Sequence, residues 1–106
     1  MTTAITCPTC AGPVDLDGTF TARCVVGHQV ASDELPAAVE AATSRALWAA
    51  VQSLEDAASG ARLRQALPYP PKWLSTIIDE AERNAGLLKE LLNRREVSSE
   101  GRRRQA

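Results

Sequence analysis

The sequence has no long hydrophobic run and few residues that commonly carry chemistry. A membrane-spanning helix requires about 20 consecutive apolar residues, and the uncharged stretches of this sequence are much shorter. We therefore expect no contact with a membrane. The first residues, MTTAIT, lack the basic segment and apolar core of a signal peptide, which predicts a cytoplasmic location. Only three cysteines and one histidine occur. Three cysteines leave one thiol unpaired, which disfavours a disulfide scaffold, and one histidine leaves no second one to act as a general base.

All three cysteines and the histidine fall in one short stretch near the start of the chain. Cys7 and Cys10 form a Cys-x-x-Cys pair, and Cys24 and His28 follow, four positions apart. Thiolates and imidazole are the ligands that zinc prefers, and a structural zinc ion takes four of them in a tetrahedron. The spacing therefore predicts that Cys7, Cys10, Cys24 and His28 bind one structural Zn²⁺ ion as a Cys3His site.

Two other interpretations of these residues are open. A Cys-x-x-Cys pair can be a redox centre, but such pairs lie at a strand-to-helix junction of a larger α/β domain. This pair begins at the seventh residue and has no such domain around it. An isolated histidine is often only a hydrogen-bonded polar residue. The spacing of His28 from Cys24, and the lack of any other soft fourth ligand in the sequence, favour metal binding.

A short β-hairpin is predicted between the two halves of the metal site. Residues 14–16 and 19–23 alternate apolar and polar side chains. Asp17-Gly18 lies between them and is a strong signal for a two-residue type I′ turn. An irregular loop is the alternative. The expected inner residues are Val14, Leu16 and Phe20.

The N-terminal zinc ribbon or knuckle is expected to span residues 1–31. Gly27 is expected to let the chain turn and aim the imidazole of His28 at the ion. A module of about 30 residues buries too little apolar area to fold unaided, so zinc should decide whether it folds. Residues 1–40 contain five acidic residues and one arginine, a net charge of −4, whereas residues 41–106 carry +3. An acidic zinc module argues against nucleic-acid binding at that end.

The rest of the chain predicts two long helices, which makes the fold class mainly α. Ser32 or Asp33 is a suitable N-cap, and apolar residues continue at helical spacing, which predicts a first helix over 33–65. Three prolines within residues 67–71 end that helix. A second amphipathic helix is expected over 71–94, because Pro71 suits a first helical position.

The two helices should pair as an antiparallel hairpin over residues 32–95, followed by a flexible basic tail over 96–106. The apolar stripe of the second helix is wider than a two-helix seam requires. This width predicts a homodimer in which two hairpins form a four-helix bundle; the alternative is a monomer whose zinc module folds back onto the helices. The predicted partner-binding residues are Trp48, Leu74, Ile78, Leu88 and Leu92.

Several motifs resemble the zinc-binding C-terminal extension found on some bacterial chemotaxis-type protein-glutamate methylesterases. The motifs are CPTCAG at 7–12, RCVVGH at 23–28 and ALWAA at 46–50, followed by a helix rich in Glu, Ala and Leu. The resemblance covers about residues 5–93. It implies zinc binding by the same cysteines and histidine, and an accessory role in signalling. It does not imply esterase activity, because this chain lacks the catalytic serine hydrolase domain.

These observations favour a zinc-stabilised helical protein-interaction module, which acts as a non-catalytic adaptor or regulator in bacterial signalling. A closed four-ligand shell leaves no open position for a catalytic water, so we do not expect an enzyme. One alternative is a nucleic-acid-binding zinc-ribbon regulator, to which the arginines at 94–95 and 102–104 would contribute. The other is a redox-sensitive zinc/thiol switch.

Overall fold

The computed structural model describes residues 2–105, and it confirms a mainly α fold with a small N-terminal sheet. Within these residues the chain forms four strands and two long helices. In chain order they are β1 (Thr2–Thr6), β2 (Pro13–Leu16), β3 (Thr21–Cys24), β4 (Gln29–Ala31), α1 (Leu35–Gln65) and α2 (Leu74–Gln105). The chain divides into two compact units, Met1–Arg45 and Ala46–Ala106. The division falls inside α1, so the first unit extends beyond the predicted zinc module of residues 1–31.

The first unit contains a four-stranded antiparallel sheet in the order β1-β2-β3-β4. The sequence predicts only its central hairpin, where Val14 pairs with Cys24 and Leu16 with Ala22. The flanking strands β1 and β4 pair with β2 and β3. A small core lies against the sheet, and its buried residues are Cys7, Val14, Ala22, Cys24 and Leu35.

The connection between β2 and β3 differs from the predicted Asp-Gly turn. Asp17 N donates to Thr21 O at 3.1 Å, and Phe20 N donates to Asp17 O at 3.1 Å, so the loop is longer than two residues. Phe20 occupies the left-handed region, with φ of 58°, and its side chain is 67% exposed. The prediction that Phe20 is an inner residue is therefore wrong, whereas Val14 is buried and Leu16 half-buried.

The carboxylate of Asp17 explains why this longer loop is stable. It accepts hydrogen bonds from Thr19 N at 2.9 Å, Thr19 Oγ1 at 2.6 Å and Thr21 N at 3.1 Å. These bonds lower the pKa of Asp17 to about 2, and the Thr19 hydroxyl is the largest cause. An aspartate that binds the backbone two residues ahead forms such a turn without needing the glycine that follows it.

The helices α1 and α2 follow the predicted hairpin, with two corrections. The predicted second helix begins at residue 71, but α2 begins at Leu74. The prolines up to Pro71 disfavour helical backbone in the residues that precede them, and Leu74 N donates to the Pro71 carbonyl at 3.4 Å in a tighter turn before the helix. In that connection Tyr69 has a φ of 57°. Arg64 of α1 donates to the carbonyls of Pro68 and Tyr69 at 3.2 and 3.4 Å, which holds the connection to the helix end.

The second correction concerns residues 96–106, which were expected to form a flexible tail. The structure instead continues α2 to Gln105. Between residues 93 and 105 the sequence contains no proline and a single glycine, so nothing there stops a helix that has already begun. Three arginines in the last turn, Arg102, Arg103 and Arg104, also complement the negative end of the helix dipole. Neither helix within residues 2–105 combines the length and apolar character needed to cross a membrane.

Candidate metal centre

Two tight turns of the backbone carry the predicted metal ligands. Cys7 and Cys10 lie in the turn after β1, where Cys7 N donates to the Gly12 carbonyl at 2.7 Å and Ala11 N to the Cys7 carbonyl at 2.8 Å. Cys24 ends β3 and His28 precedes β4. There, Cys24 N donates to the His28 carbonyl at 3.1 Å, and Gly27 N to the Cys24 carbonyl at 3.0 Å. Strand pairing of β2 with β3 then brings the two turns together.

The four ligand atoms form a compact cluster. The three sulfurs and the histidine nitrogen all lie within 4.8 Å of one another. Cys10 Sγ is 3.7 Å from Cys24 Sγ, and His28 Nδ1 is 3.7 Å from Cys7 Sγ and 3.3 Å from Cys24 Sγ. A tetrahedral ion with bonds of about 2.3 Å to sulfur and about 2.0 Å to nitrogen separates its ligands by about 3.8 Å (S to S) and about 3.5 Å (S to N). These three separations are close to the values for one tetrahedral ion.

Two glycines lie in or next to the turns that carry the ligands. Gly27 has a φ of 106°, a conformation that other residues adopt only with strain, and it directly precedes His28. The predicted turn at Gly27 is therefore present; that it aims His28 at an ion stays a prediction. A Cβ at Gly12 would lie 3.4 Å from Cys10 Sγ, at the boundary of ordinary van der Waals contact.

Backbone amides around the sulfurs favour the thiolate form. Burial acts to raise the pKa of Cys24, but the backbone amide of His28, the Cys10 thiol and the amide of Gly27 outweigh it and lower that pKa to about 6. The pKa of Cys7 is lowered chiefly by the backbone amides of Cys10 and Thr9, and Thr9 N lies 3.4 Å from Cys7 Sγ. A metal ion needs thiolates, so this environment prepares the ligands for binding.

The remaining two ligands have pKa values that move in the opposite direction. The amide of Gly12 acts to lower the pKa of Cys10, but burial and the neighbouring sulfurs Cys24 and Cys7 outweigh it and raise that pKa. The Cys24 sulfur is the largest cause of the raised pKa of His28. All three cysteines are free thiols; Cys7 and Cys24 are buried, whereas Cys10 is exposed.

A contact from α1 supports the first turn, and no pattern in the sequence predicts it. Arg45 Nη2 donates to the Pro8 carbonyl at 3.0 Å. This bond satisfies a carbonyl between the two cysteines of the Cys-x-x-Cys pair. The two residues are 37 positions apart, so no local pattern could have predicted the contact.

The predicted partner-binding residues do not form one exposed surface. Leu74, Ile78 and Leu92 are buried, and Leu88 is half-buried, all on the side of α2 that faces α1. Their assignment to a partner surface is therefore wrong for the three buried residues, because the chain's own helix covers them. Trp48 is 54% exposed on α1 and remains available to a partner.

Comparison with known proteins does not add to this description of the site. No protein-family model matches the chain, and no curated protein or solved structure matches it either.

Proposed function

We propose that the protein binds one Zn²⁺ ion through Cys7, Cys10, Cys24 and His28 and acts as a zinc-stabilised protein-interaction module. The observation that carries this proposal is the closed cluster of four soft ligand atoms within 4.8 Å of one another. Thiolate and imidazole ligands in a tetrahedron suit zinc and disfavour hard cations such as Mg²⁺ and Ca²⁺. Four protein ligands complete the shell and leave no position for a reactive water, so the ion is structural and the protein is not an enzyme.

The helices supply the surface for interaction in this proposal. Large apolar side chains are exposed along them, among them Trp48, Leu63, Leu87 and Leu91. Of these, Leu87 and Leu91 lie one turn apart on the same face of α2, and adjacent exposed apolar side chains are typical of protein-binding sites. The resemblance to the methylesterase extension suggests bacterial signalling as the context, where the protein would serve as an adaptor or regulator.

Metal analysis of the purified protein tests the zinc site directly. We expect one zinc per purified chain by mass spectrometry of metals, and much less than one in Cys7→Ser and Cys24→Ser, because each binds zinc more weakly. Thr9→Ala is the matched control, because Thr9 lies in the same turn and approaches Cys7 Sγ through its backbone amide only. Cobalt substitution should give the absorption of a tetrahedral Cys3His site. A spectrum with a water ligand would contradict a structural, non-catalytic ion.

Capture of partners from the native cell tests the interaction role. The wild-type protein should retain a defined protein partner or self-associate. Cys7→Ser should retain less of any partner that contacts the Met1–Arg45 unit. Titration with single-stranded and duplex DNA at two salt concentrations provides the contrast. Salt-dependent DNA binding at or below about micromolar Kd would contradict the adaptor role and favour the nucleic-acid alternative.

A further inference from the structure

The seam between α1 and α2 has a seven-residue repeat that fixes how the two helices align. Buried or half-buried positions recur at alternating steps of three and four. They are 47, 51, 54, 58 and 61 on α1, and 74, 78, 81, 85, 88, 92, 95 and 99 on α2; positions 50 and 64 of α1 are also half-buried, beside the seam. This spacing is that of two helices packed side by side over a long distance.

Ion pairs lie on one side of this seam, and we call that side the charged flank. Lys89 Nζ is 3.1 Å from Glu55 Oε1, and Arg62 pairs with Glu82. Glu55 and Arg62 are seven residues apart, and so are Glu82 and Lys89, so both pairs obey one antiparallel alignment. In that alignment Ala57 lies level with Leu87, Ser53 with Leu91, and Gly60 with Asn84.

The opposite side of the seam, the apolar flank, has no ion pair between the helices within residues 46–105, and its side chains differ in size between α1 and α2. Its members on α1 are small: Ala50, Ser53, Ala57 and Gly60. Its members on α2 are larger: Ile77, Asn84, Leu87 and Leu91. Leu87 is 58% exposed and Leu91 is 42% exposed. Adding a Cβ at Gly60 would meet nothing within 4 Å, so the surface above the small residues is open. On the apolar flank, the small residues of α1 therefore form a shallow stripe, and the larger residues of α2 form a raised stripe beside it.

We infer that the apolar flank binds the same flank of a second copy of this chain, and that the pair forms an antiparallel four-helix bundle. A two-fold axis parallel to the helices places α2 of each copy over α1 of the other at the same level. The leucines at 87 and 91 of one copy then lie over the small residues at 53 and 57 of the other. A surface with one raised and one shallow stripe is self-complementary under this symmetry. No different partner is needed to fill it.

The charges at the end of the flank agree with this arrangement. Glu80 on α2 lies level with Arg64 on α1, so the two-fold axis brings opposite charges together across the interface. The flat area of the face is close to that of a standard protein interface. Two helices, each about 10 Å wide and paired over about 30 Å, present a flat face of roughly 600 Å². Protruding side chains make the accessible surface of that face larger. Stable complexes bury about 800 Å² of accessible surface per partner.

This inference deepens the proposed function, since it names a second copy as the partner of the interaction module. It also replaces the predicted contact residues Leu74, Ile78 and Leu92, which point into the seam, with the flank beside them. The contact lies wholly within the Ala46–Ala106 unit, so it does not need the zinc ligands. Failure of the dimer and failure of the zinc site can therefore be told apart.

Sedimentation equilibrium of the full zinc-loaded chain tests the inference. The wild type should have twice the mass of one chain. Leu87→Glu and Ala57→Lys should each raise the dimer Kd about a hundredfold or more, because each buries an unpaired charge in an apolar contact. Leu63→Glu is the matched control, since Leu63 is 68% exposed but lies on neither flank of the seam. It should leave the mass unchanged. Circular dichroism confirms that each variant keeps its helices.

An equimolar mixture of the two disruptive variants tests the geometry itself. In a mixed dimer the new carboxylate at position 87 of one chain lies over the new ammonium at position 57 of the other, while the second contact stays wild type. We expect the mixture to recover the dimer mass.

A monomeric wild type at about 100 μM, or an intact dimer of Leu87→Glu, would overturn the inference. Failure of the mixture to recover the dimer would overturn the α2-over-α1 arrangement. If zinc content stays at one ion per chain in those cases, the zinc proposal still stands.

Discussion

At the scale of single residues, the metal centre depends on backbone geometry as much as on its ligands. The four ligands were predicted from sequence because their chemistry and spacing are local and specific. The amides that lower the pKa values of Cys7 and Cys24 were not predicted, because they depend on the exact path of each turn. The Arg45 contact with Pro8 was missed for a similar reason: it joins residues that are distant in sequence.

Replacing Gly27 should weaken the metal site without removing a ligand. Gly27→Ala places a side chain at a φ of 106°, and left-handed backbone costs a non-glycine residue about 1–2 kcal/mol or more. Zinc affinity, measured by competition with a chromogenic chelator, should fall about tenfold or more. Gly18→Ala is the control, since its Cβ would meet nothing within 4 Å and its φ is not left-handed. Equal affinity in the two variants would mean that the turn at Gly27 does not position His28.

The lowered pKa of Cys24 predicts how zinc binding depends on pH. An acid whose native pKa is depressed is stabilised as its anion, so this stabilisation is present at high pH and is lost as pH falls through about 6. Above that pH Cys24 offers a thiolate without releasing a proton. Below that pH, each zinc ion must displace one more proton. A plot of the logarithm of apparent zinc affinity against pH should therefore be steeper below about pH 6 than above it. Chelator competition between about pH 5 and about pH 8 measures this change of slope.

Cys24→Ser provides the comparison for that pH profile. The variant binds zinc more weakly throughout, but it has no thiol at position 24 to take up the additional proton. Its profile should lack the increase in slope near pH 6. A wild-type profile with one constant slope would contradict a depressed pKa at Cys24.

At the scale of elements, the sequence predicts the helices better than the strands. The first helix was expected over 33–65 and is observed as Leu35–Gln65, because helical periodicity and the prolines after it are both local signals. The strands β1 and β4 were not predicted. β4 has only three residues, and its place in the sheet depends on pairing with β3 rather than on its own composition. The Asp17 loop shows that a turn motif can act through its side chain rather than through its glycine.

A glycine in the middle of α2 is expected to reduce the stability of the helical hairpin. A Cβ at Gly86 would meet nothing within 4 Å, so alanine fits there without displacing a neighbour. Gly86→Ala should raise the free energy of unfolding by about 0.5–1 kcal/mol, because alanine loses less backbone entropy in a helix. Urea denaturation followed by circular dichroism measures the gain.

Gly101→Ala, near the end of α2, should give a smaller gain because helix ends fray. A loss of stability at Gly86 would indicate that the side chain meets an unrecognised neighbour, such as a partner protein.

At the scale of the whole molecule, the two units have different sources of stability. The core of the Met1–Arg45 unit includes two of the metal ligands, Cys7 and Cys24, so the apolar residues left without the ion are few. The Ala46–Ala106 unit is stabilised by a long helical seam that contains none of the ligands. Metal-binding free energies of about 10–16 kcal/mol in comparable peptides are as large as the stability of a whole domain. The ion should therefore decide the folding of the first unit alone.

Removal of zinc tests this division of stability in one experiment. After treatment with a strong chelator, and with metal loss verified, NMR signals of the strands should collapse towards random-coil positions. Helical circular dichroism should fall only slightly, because α2 and most of α1 lie in the other unit. Adding back one equivalent of zinc should restore the sheet signals.

Thr9→Ala should respond as the wild type does, whereas Cys24→Ser should resemble the chelated protein from the start. If the sheet signals survive verified metal loss, the ion does not hold the first unit together. If helicity is lost as well, the seam of α1 and α2 depends on a folded sheet, and the two units do not fold separately.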